Sequence, residues 1–169
     1  MRQVRVAVVG AGIWGSAHVR AYAQHASAEL VAICDLKEAR AREVAARWAV
    51  PRCYTALEEM LSRETLDAIS VATPDAVHAD VVVRAAEAGK HVLCEKPLAT
   101  TIPECERMIA AAAKHGVFLM VDWHNRWNPP CHAAWESVRG GEVGDVRYVY
   151  YRLSDTIYVP TRMLPWAAE

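Results

Sequence analysis

The chain has 169 residues, 53% of them hydrophobic, with 19 Lys and Arg set against 20 Asp and Glu. That is the composition of an ordinary globular protein with room for one good core, or for one domain and part of another. The near-zero net charge gives no electrostatic footprint for nucleic acid or an anionic membrane surface, and no apolar run approaches the roughly 20 residues that span a bilayer.

The first residues enter an apolar strand directly, without signal-peptide architecture, so a cytoplasmic location is expected. The cysteines, Cys34, Cys53, Cys94, Cys105 and Cys131, are odd in number and none forms a C-x-x-C pair. Free thiols are expected, rather than a disulfide framework or a zinc site.

Val4 to Val9 reads as a continuous apolar strand, followed by glycines and a helix from about Ile13 to Gln24. A second strand, Leu30 to Cys34, ends at Asp35, and an Ala/Arg/Glu-rich helix covers Lys37 to Trp48. A short strand near Arg52–Tyr54 precedes Thr55-Ala56-Leu57-Glu58, a capping-box pattern that predicts a brief helix. Asp67–Ala72 is the fourth strand; Thr73-Pro74 are expected to open a helix that ends at Gly89. His91–Cys94 is the fifth strand. Thr101-Ile102-Pro103-Glu104 is a second capping box, for a helix stopping at Gly116, and Val117–Val121 is the sixth strand.

Apolar strands alternating with helices imply a parallel sheet covered on both faces, with right-handed crossovers: a doubly wound α/β fold over residues 1–122. The pattern changes after Asp122. Trp123 to Pro130 reads as an aromatic, proline-broken loop and Cys131–Arg139 as a helix stopped by Gly140-Gly141. Arg147–Ser154 reads as an aromatic strand. One strand is not a domain, so residues 123–169 are expected to be a connecting segment and the truncated start of an α+β second domain. Tyr148, Tyr150 and their neighbours would form an exposed edge unless paired, so Arg147–Leu153 is expected to be disordered, to pair with a symmetry mate, or to swap between copies.

Three signals carry chemistry. Gly10-Ala11-Gly12-Ile13-Trp14-Gly15 has the G-x-G-x-x-G spacing between a strand and a helix. Gly10 serves the tight turn, Gly12 lets backbone approach a pyrophosphate, and Gly15 packs the helix on the strand. The helix N-terminus offers free N–H groups to phosphates. Asp35, 20 residues after Gly15, is placed to accept from the adenosine ribose hydroxyls and to repel a 2′-phosphate, which favours NAD over NADP; Lys37 and Arg40 weaken that preference. Its other reading is a turn carboxylate capping the next helix. Finally, Thr73-Pro74, Glu95-Lys96-Pro97 and Trp123–Trp127 all follow strands at the carboxyl edge, where open α/β sheets bind ligands. His78 is close enough to line a cofactor site, His124 to reach substrate. Sequence spacing supports no metal site and no Ser/His/Asp triad.

The glycine loop, Ala72-Thr73-Pro74-Asp75-Ala76-Val77-His78, and Glu87-Ala88-Gly89-Lys90-His91-Val92-Leu93-Cys94-Glu95-Lys96-Pro97-Leu98 together resemble the Gfo/Idh/MocA oxidoreductases, and Gly144-Asp145-Val146 extends the resemblance. It implies a Rossmann-type domain in a larger two-domain enzyme that moves a hydride between nicotinamide and a secondary alcohol of a sugar, cyclitol or related polyol. It further implies that Lys96 helps bind substrate and tunes proton transfer. Gly10, Gly12, Ile13, Trp14, Gly15, Asp35, Thr73, Pro74, His78, Glu95 and Lys96 match cofactor-contacting positions. Trp123, His124, Asn125 and Arg126 match a segment near nicotinamide and substrate. The family's second half carries an oligomerising sheet and a downstream Asp/His pair, whose His serves as acid/base. No His follows His132 here, so this chain alone is expected to be inactive, or to be a non-catalytic NAD-binding sensor or regulatory module.

Overall fold

A computed structural model of the chain describes residues 2–152. Six strands, β1 (Val4–Val9), β2 (Ala28–Cys34), β3 (Arg52–Tyr54), β4 (Ala68–Val71), β5 (His91–Glu95) and β6 (Leu119–Asp122), form one sheet in the order β3-β2-β1-β4-β5-β6. Every pairing is parallel. This is the doubly wound order, with its switch point between β1 and β4, where the crossovers diverge and leave a crevice at the carboxyl ends.

The helices are α1 (Ile13–Ala23), α2 (Glu38–Trp48), α3 (Leu57–Arg63), α4 (His78–Glu87), α5 (Ile102–His115) and α6 (Pro129–Arg139). Alternation along the strands divides the core in two. Val8 and Ile33 pack with Val19 of α1 and Ala41, Val44 and Ala45 of α2. Ala7, Val9, Ile69 and Val71 point the other way, onto Met60 of α3, Val82 of α4 and Met108 of α5. Burying each Val, Ile or Met side chain of this kind stabilises the fold by roughly 1.5–3 kcal/mol. That burial on both faces is why the strands read as unbroken apolar runs.

Register aligns the functional edge. Val9 lies opposite both Cys34 and Val71, Val71 opposite Cys94, and Glu95 opposite Asp122. Residues 10, 35, 72–74, 95–97 and 122 therefore leave the sheet along one edge.

Some sequence expectations need correction. Thr101 does cap α5, its side chain accepting from the Glu104 N–H while Glu104 reaches back to the Thr101 N–H, and Gly116 ends the helix at φ +65°. The Thr55–Glu58 box does not form: Ala56 is the N-cap of α3 with no side-chain cap bond. Glu58 there sits one position too early to return to the cap and pairs with Arg84 of α4 instead. Thr73-Pro74 do not open α4. Pro74 stays extended (ψ 143°), a 3₁₀ turn covers Asp75–Val77, and the α-helix starts at His78.

The chain divides after Asp122 into two compact units. In the second, a 3₁₀ turn spans His124–Arg126 and α6 begins at Pro129, two residues before the expected start. Pro129 and Pro130 open this helix rather than break the chain, because the first helical turn needs no N–H from them. Residues 147–152 carry no strand; Tyr148, Val149, Tyr150 and Tyr151 are exposed. A strand exists only through its ladder, and among the described residues of this unit no other strand offers one. Leu153 and Ser154 lie outside the described residues.

Candidate functional site

The glycine loop is shaped by contacts that tolerate no side chain. Gly10 adopts φ +98°, and a Cβ on it would stand 2.4 Å from the Ala72 carbonyl oxygen. Its N–H donates to Cys34 O at 2.8 Å, and Ala72 N–H to Val9 O at 2.8 Å, so the loop is knitted to the ends of β2 and β4. A Cβ on Gly15 would lie 1.7 Å from Gly10 O, whereas one on Gly12 would meet nothing within 4 Å. The tight packing at 10 and 15 is internal to the fold. The space at Gly12 faces outward, at the N-cap of α1, which has no side-chain cap bond.

Asp35 is held across this loop. Its Oδ2 accepts from the Ala11 N–H at 2.7 Å and its Oδ1 from the Lys37 N–H at 2.8 Å, with Arg40 3.9 Å from Oδ2. Asp35 therefore orders the turn that leads to α2, whose N-cap is Lys37 with no side-chain cap bond, and it braces the glycine loop. A carboxylate has about four lone-pair sites, so acceptor capacity remains for a ribose hydroxyl.

Thr73 follows β4 beside the loop, and its Oγ1 is buried with no hydrogen-bond partner among the described residues. An orphaned hydroxyl costs about 1–3 kcal/mol, and a bound polar ligand would relieve it. His78 lies in the wall behind it, 1% exposed, with Nδ1 2.9 Å from Pro97 O and Nε2 2.9 Å from Thr73 O. It therefore clamps the loop after β4 to the loop after β5 instead of presenting a free ring nitrogen.

β5 ends at Glu95, and the loop after it opens with Lys96 and Pro97, joined by a cis peptide. Lys96 Nζ stands 6.0 Å from the Trp14 ring centroid, within cation–π range, and Trp14 is 41% exposed. The lysine and the glycine loop are thus neighbours in space, 82 residues apart in the chain.

Glu95 belongs to a group that spacing along the sequence does not reveal. His18 Nδ1 is 2.7 Å from Ser70 Oγ, and its Nε2 is 3.1 Å from Glu95 Oε1 and 3.6 Å from Asp122 Oδ2. His18, Ser70 and Glu95 are all buried. Burial alone pushes the Glu95 carboxyl up. The hydrogen bonds from His18 and from the Lys96 N–H outweigh it, with the charges of both residues adding, and hold it below its ordinary range. Ligand atoms of His18, Glu95 and Asp122 lie within 4.8 Å of one another, a metal-type grouping drawn from α1, β5 and β6. One signal for His18 was available: with Gly15 and Val19 it makes the i, i+3, i+4 stripe that α1 turns to the sheet. Ser70 gave none, lying inside an apolar run.

Trp123, His124, Asn125 and Arg126 are exposed and lie at the start of the second unit, in and beside its 3₁₀ turn. No helix among the described residues is long and apolar enough to cross a membrane.

A parallel sheet of this order, a glycine-loop helix at its switch point, and a carboxylate at the end of the second strand define a dinucleotide-binding Rossmann domain. The orphaned Thr73 hydroxyl and the open approach at Gly12 fit a nucleotide there. Comparison with known proteins makes the assignment specific. Residues 4–123 match the Gfo/Idh/MocA model, an oxidoreductase family with an NAD-binding Rossmann fold, and the chain belongs to that family.

The chain is 34% identical over 144 residues to D-apiose dehydrogenase of Paraburkholderia graminis, covering 85% of this chain and 38% of that one. It is 30% identical over 167 residues to inositol 2-dehydrogenase of Salmonella typhimurium, covering 97% and 50%. The crystal structure of the WlbA dehydrogenase from Bordetella pertussis, in complex with NADH and UDP-GlcNAcA, superposes with TM-score 0.81 at 35% identity. It covers 85% of this chain and 44% of that one. The chain thus spans at most about half the length of these relatives.

Proposed function

We propose that residues 1–122 are the NAD-binding domain of a dehydrogenase that oxidises or reduces a secondary alcohol of a sugar, cyclitol or related polyol. In this reading residues 123–169 open an α+β substrate domain, whose sheet carries homo-oligomerisation in the complete enzyme. The observation that carries the reading is the approach of Lys96 to Trp14 of the glycine loop, since it sets a cation beside the loop on which the dinucleotide phosphates would dock. The named activities of the relatives support the substrate class.

Gly10, Gly12 and the N-terminus of α1, with Ile13 and Trp14, would hold the pyrophosphate, and Gly15 keeps that helix on β1. Asp35 would accept from the ribose hydroxyls and disfavour a 2′-phosphate, so NAD is the expected cofactor. Thr73, Pro74 and Glu95 line the approach, and His78 fixes the loops that bear Thr73 and Lys96. When bound, the dinucleotide supplies the hydride chemistry at nicotinamide C4. Lys96 would polarise the reacting oxygen of the substrate, and Trp123–Arg126 would border the substrate.

The proton acceptor for the hydroxyl must stand within hydrogen-bond reach of it. We assign that group to the half of the relatives that this chain does not span, so residues 1–169 alone bind cofactor without turnover. A cytoplasmic site of action is supported by the five free cysteines.

The test is a titration of the chain with NADH and with NADPH, followed by energy transfer from tryptophan to the nicotinamide. Saturable NADH binding, with NADPH weaker, is the expected result. Binding of neither overturns the assignment for this chain.

A further inference from the structure

His18 lies on the helix that the glycine loop opens, one and a half turns from its start, yet its ring serves the opposite side of the crevice. Nδ1 is on Ser70 Oγ at 2.7 Å, at the middle of β4. Nε2 is on Glu95 Oε1 at 3.1 Å, at the end of β5, and 3.6 Å from Asp122 at the end of β6. The other carboxylate oxygen, Glu95 Oε2, accepts from the backbone N–H of Lys96 at 3.1 Å. A continuous path of hydrogen bonds therefore runs from α1 through a buried ring and a buried carboxylate to the peptide that sets the direction of the Lys96 side chain. Tyr22, one turn further along α1, sits against Ser70 and anchors the far end.

We propose that His18 is a positioning residue for Lys96, acting through Glu95. The inference rests on the reading of Lys96 as a site residue.

Two features separate this from ordinary core filling. An apolar residue would pack between α1 and the sheet at lower desolvation cost than a histidine beside two carboxylates. And Glu95 spends one oxygen on His18 and the other on the Lys96 N–H, so rotating the carboxylate to suit one partner breaks the other. Two charge-assisted bonds made by one carboxylate favour a single setting of the chain as it leaves β5. Lys96 is thus tied to α1 through Glu95 and His18, and its Nζ also stands 6.0 Å from the Trp14 ring centroid.

Amide side chains divide the two ring nitrogens. Asn places its NH₂ near Nδ1, keeping Ser70 and losing Glu95; Gln reaches the Nε2 position and keeps Glu95. The experiment compares His18→Asn and His18→Gln in the full 169-residue chain, by the backbone amide resonance of Lys96 and by NADH affinity, with far-ultraviolet circular dichroism for the fold. The expected result is that His18→Asn moves the Lys96 amide proton upfield and weakens NADH binding about tenfold, while His18→Gln restores both. If His18→Asn fails to fold, Glu95→Gln, which keeps the volume and drops the charge, must produce the same upfield shift. An unmoved Lys96 amide in folded His18→Asn, or in Glu95→Gln, overturns the proposal. A parent chain that binds no NADH refutes the cofactor reading instead, and the amide shift still decides the positioning role.

Discussion

A Cβ built on Gly15 would stand 1.7 Å from the carbonyl oxygen of Gly10: the last glycine of the loop is pressed against the backbone of the first. Gly12, between them, has nothing within 4 Å of its missing side chain. The same three-glycine pattern therefore contains residues with opposite duties. Gly15→Ala is expected to destabilise the domain by about 3 kcal/mol or more, since backbone must move. Gly12→Ala is expected to leave the urea midpoint nearly unchanged and to abolish NADH binding. Equal effects of the two on stability would refute the division.

Thr73 Oγ1 is buried and unpartnered among the described residues. Thr73→Val keeps the shape and deletes the orphan, so stability without ligand should rise by about 1 kcal/mol. NADH affinity should fall about tenfold in the same variant, measured by titration beside thermal unfolding. A variant less stable than the parent would mean that the hydroxyl has a partner within the fold.

Asp35 both braces the loop and faces the expected ribose site. Asp35→Ser removes the acceptor of the Ala11 and Lys37 N–H groups, which should cost about 1–3 kcal/mol. It also leaves Arg40, now 3.9 Å from that carboxylate, without its counter-charge. The ratio of NADPH to NADH affinity should rise by about tenfold or more, because a like-charge clash costs several kcal/mol. An unchanged ratio would leave Asp35 with a structural duty only.

Acid should loosen this fold through two carboxylates. Asp67 accepts from the Arg5 N–H at 2.8 Å. That bond, reinforced by Arg2 and the charge of Arg5 against a smaller upward push from burial, holds its pKa below 3.8. Glu95 is likewise held below 4.5, burial being outweighed by His18 and Lys96. Both folded values lie below the unfolded ones. The stability they contribute is thus present above about pH 4.5 and is lost as pH falls through the folded values. Urea unfolding from pH 6 down to pH 3 should show the decline, and Glu95→Gln should flatten part of it.

The thiols should separate by reactivity. Burial, with the charges of Asp35, Glu58 and Glu59, pushes Cys34 up to about 12. Burial, Glu95 and Cys105 push Cys94 up to about 12. At pH 8 both should resist alkylation until the chain unfolds, whereas half-buried Cys105 and Cys131 should label in the native protein. Mass spectrometry of labelled peptides reads the order directly.

Much of this architecture is legible along the chain, for local reasons. Val4–Val9 occupies the strand bounds that its valine-rich run implies, and Arg52–Tyr54 the bounds expected of it. Thr101 and Glu104 cap α5 because the capping box needs only four consecutive residues. The glycine spacing, with a strand before it and a helix after it, marks the switch point because all its constraints lie within one βα turn. Local rules fail where a competing interaction decides. Glu58 leaves its box for Arg84, Pro74 holds the chain extended until His78, and the aromatic run from Arg147 has no ladder to join.

Sequence by itself determined the order of the elements and the sheet edge at which Gly10, Asp35, Thr73 and Lys96 lie, since strands, helices and turns follow from periodicity and from spacings of a few residues. Tertiary structure alone decided what those residues touch. Only folding brings Lys96 to Trp14, Thr73 into a buried position without a partner, and His18 between Ser70, Glu95 and Asp122. Those partners stand 52, 77 and 104 residues from His18, and no local propensity reaches that far. Parallel register set the edge, and the close packing of α1 on the sheet chose which polar groups would meet.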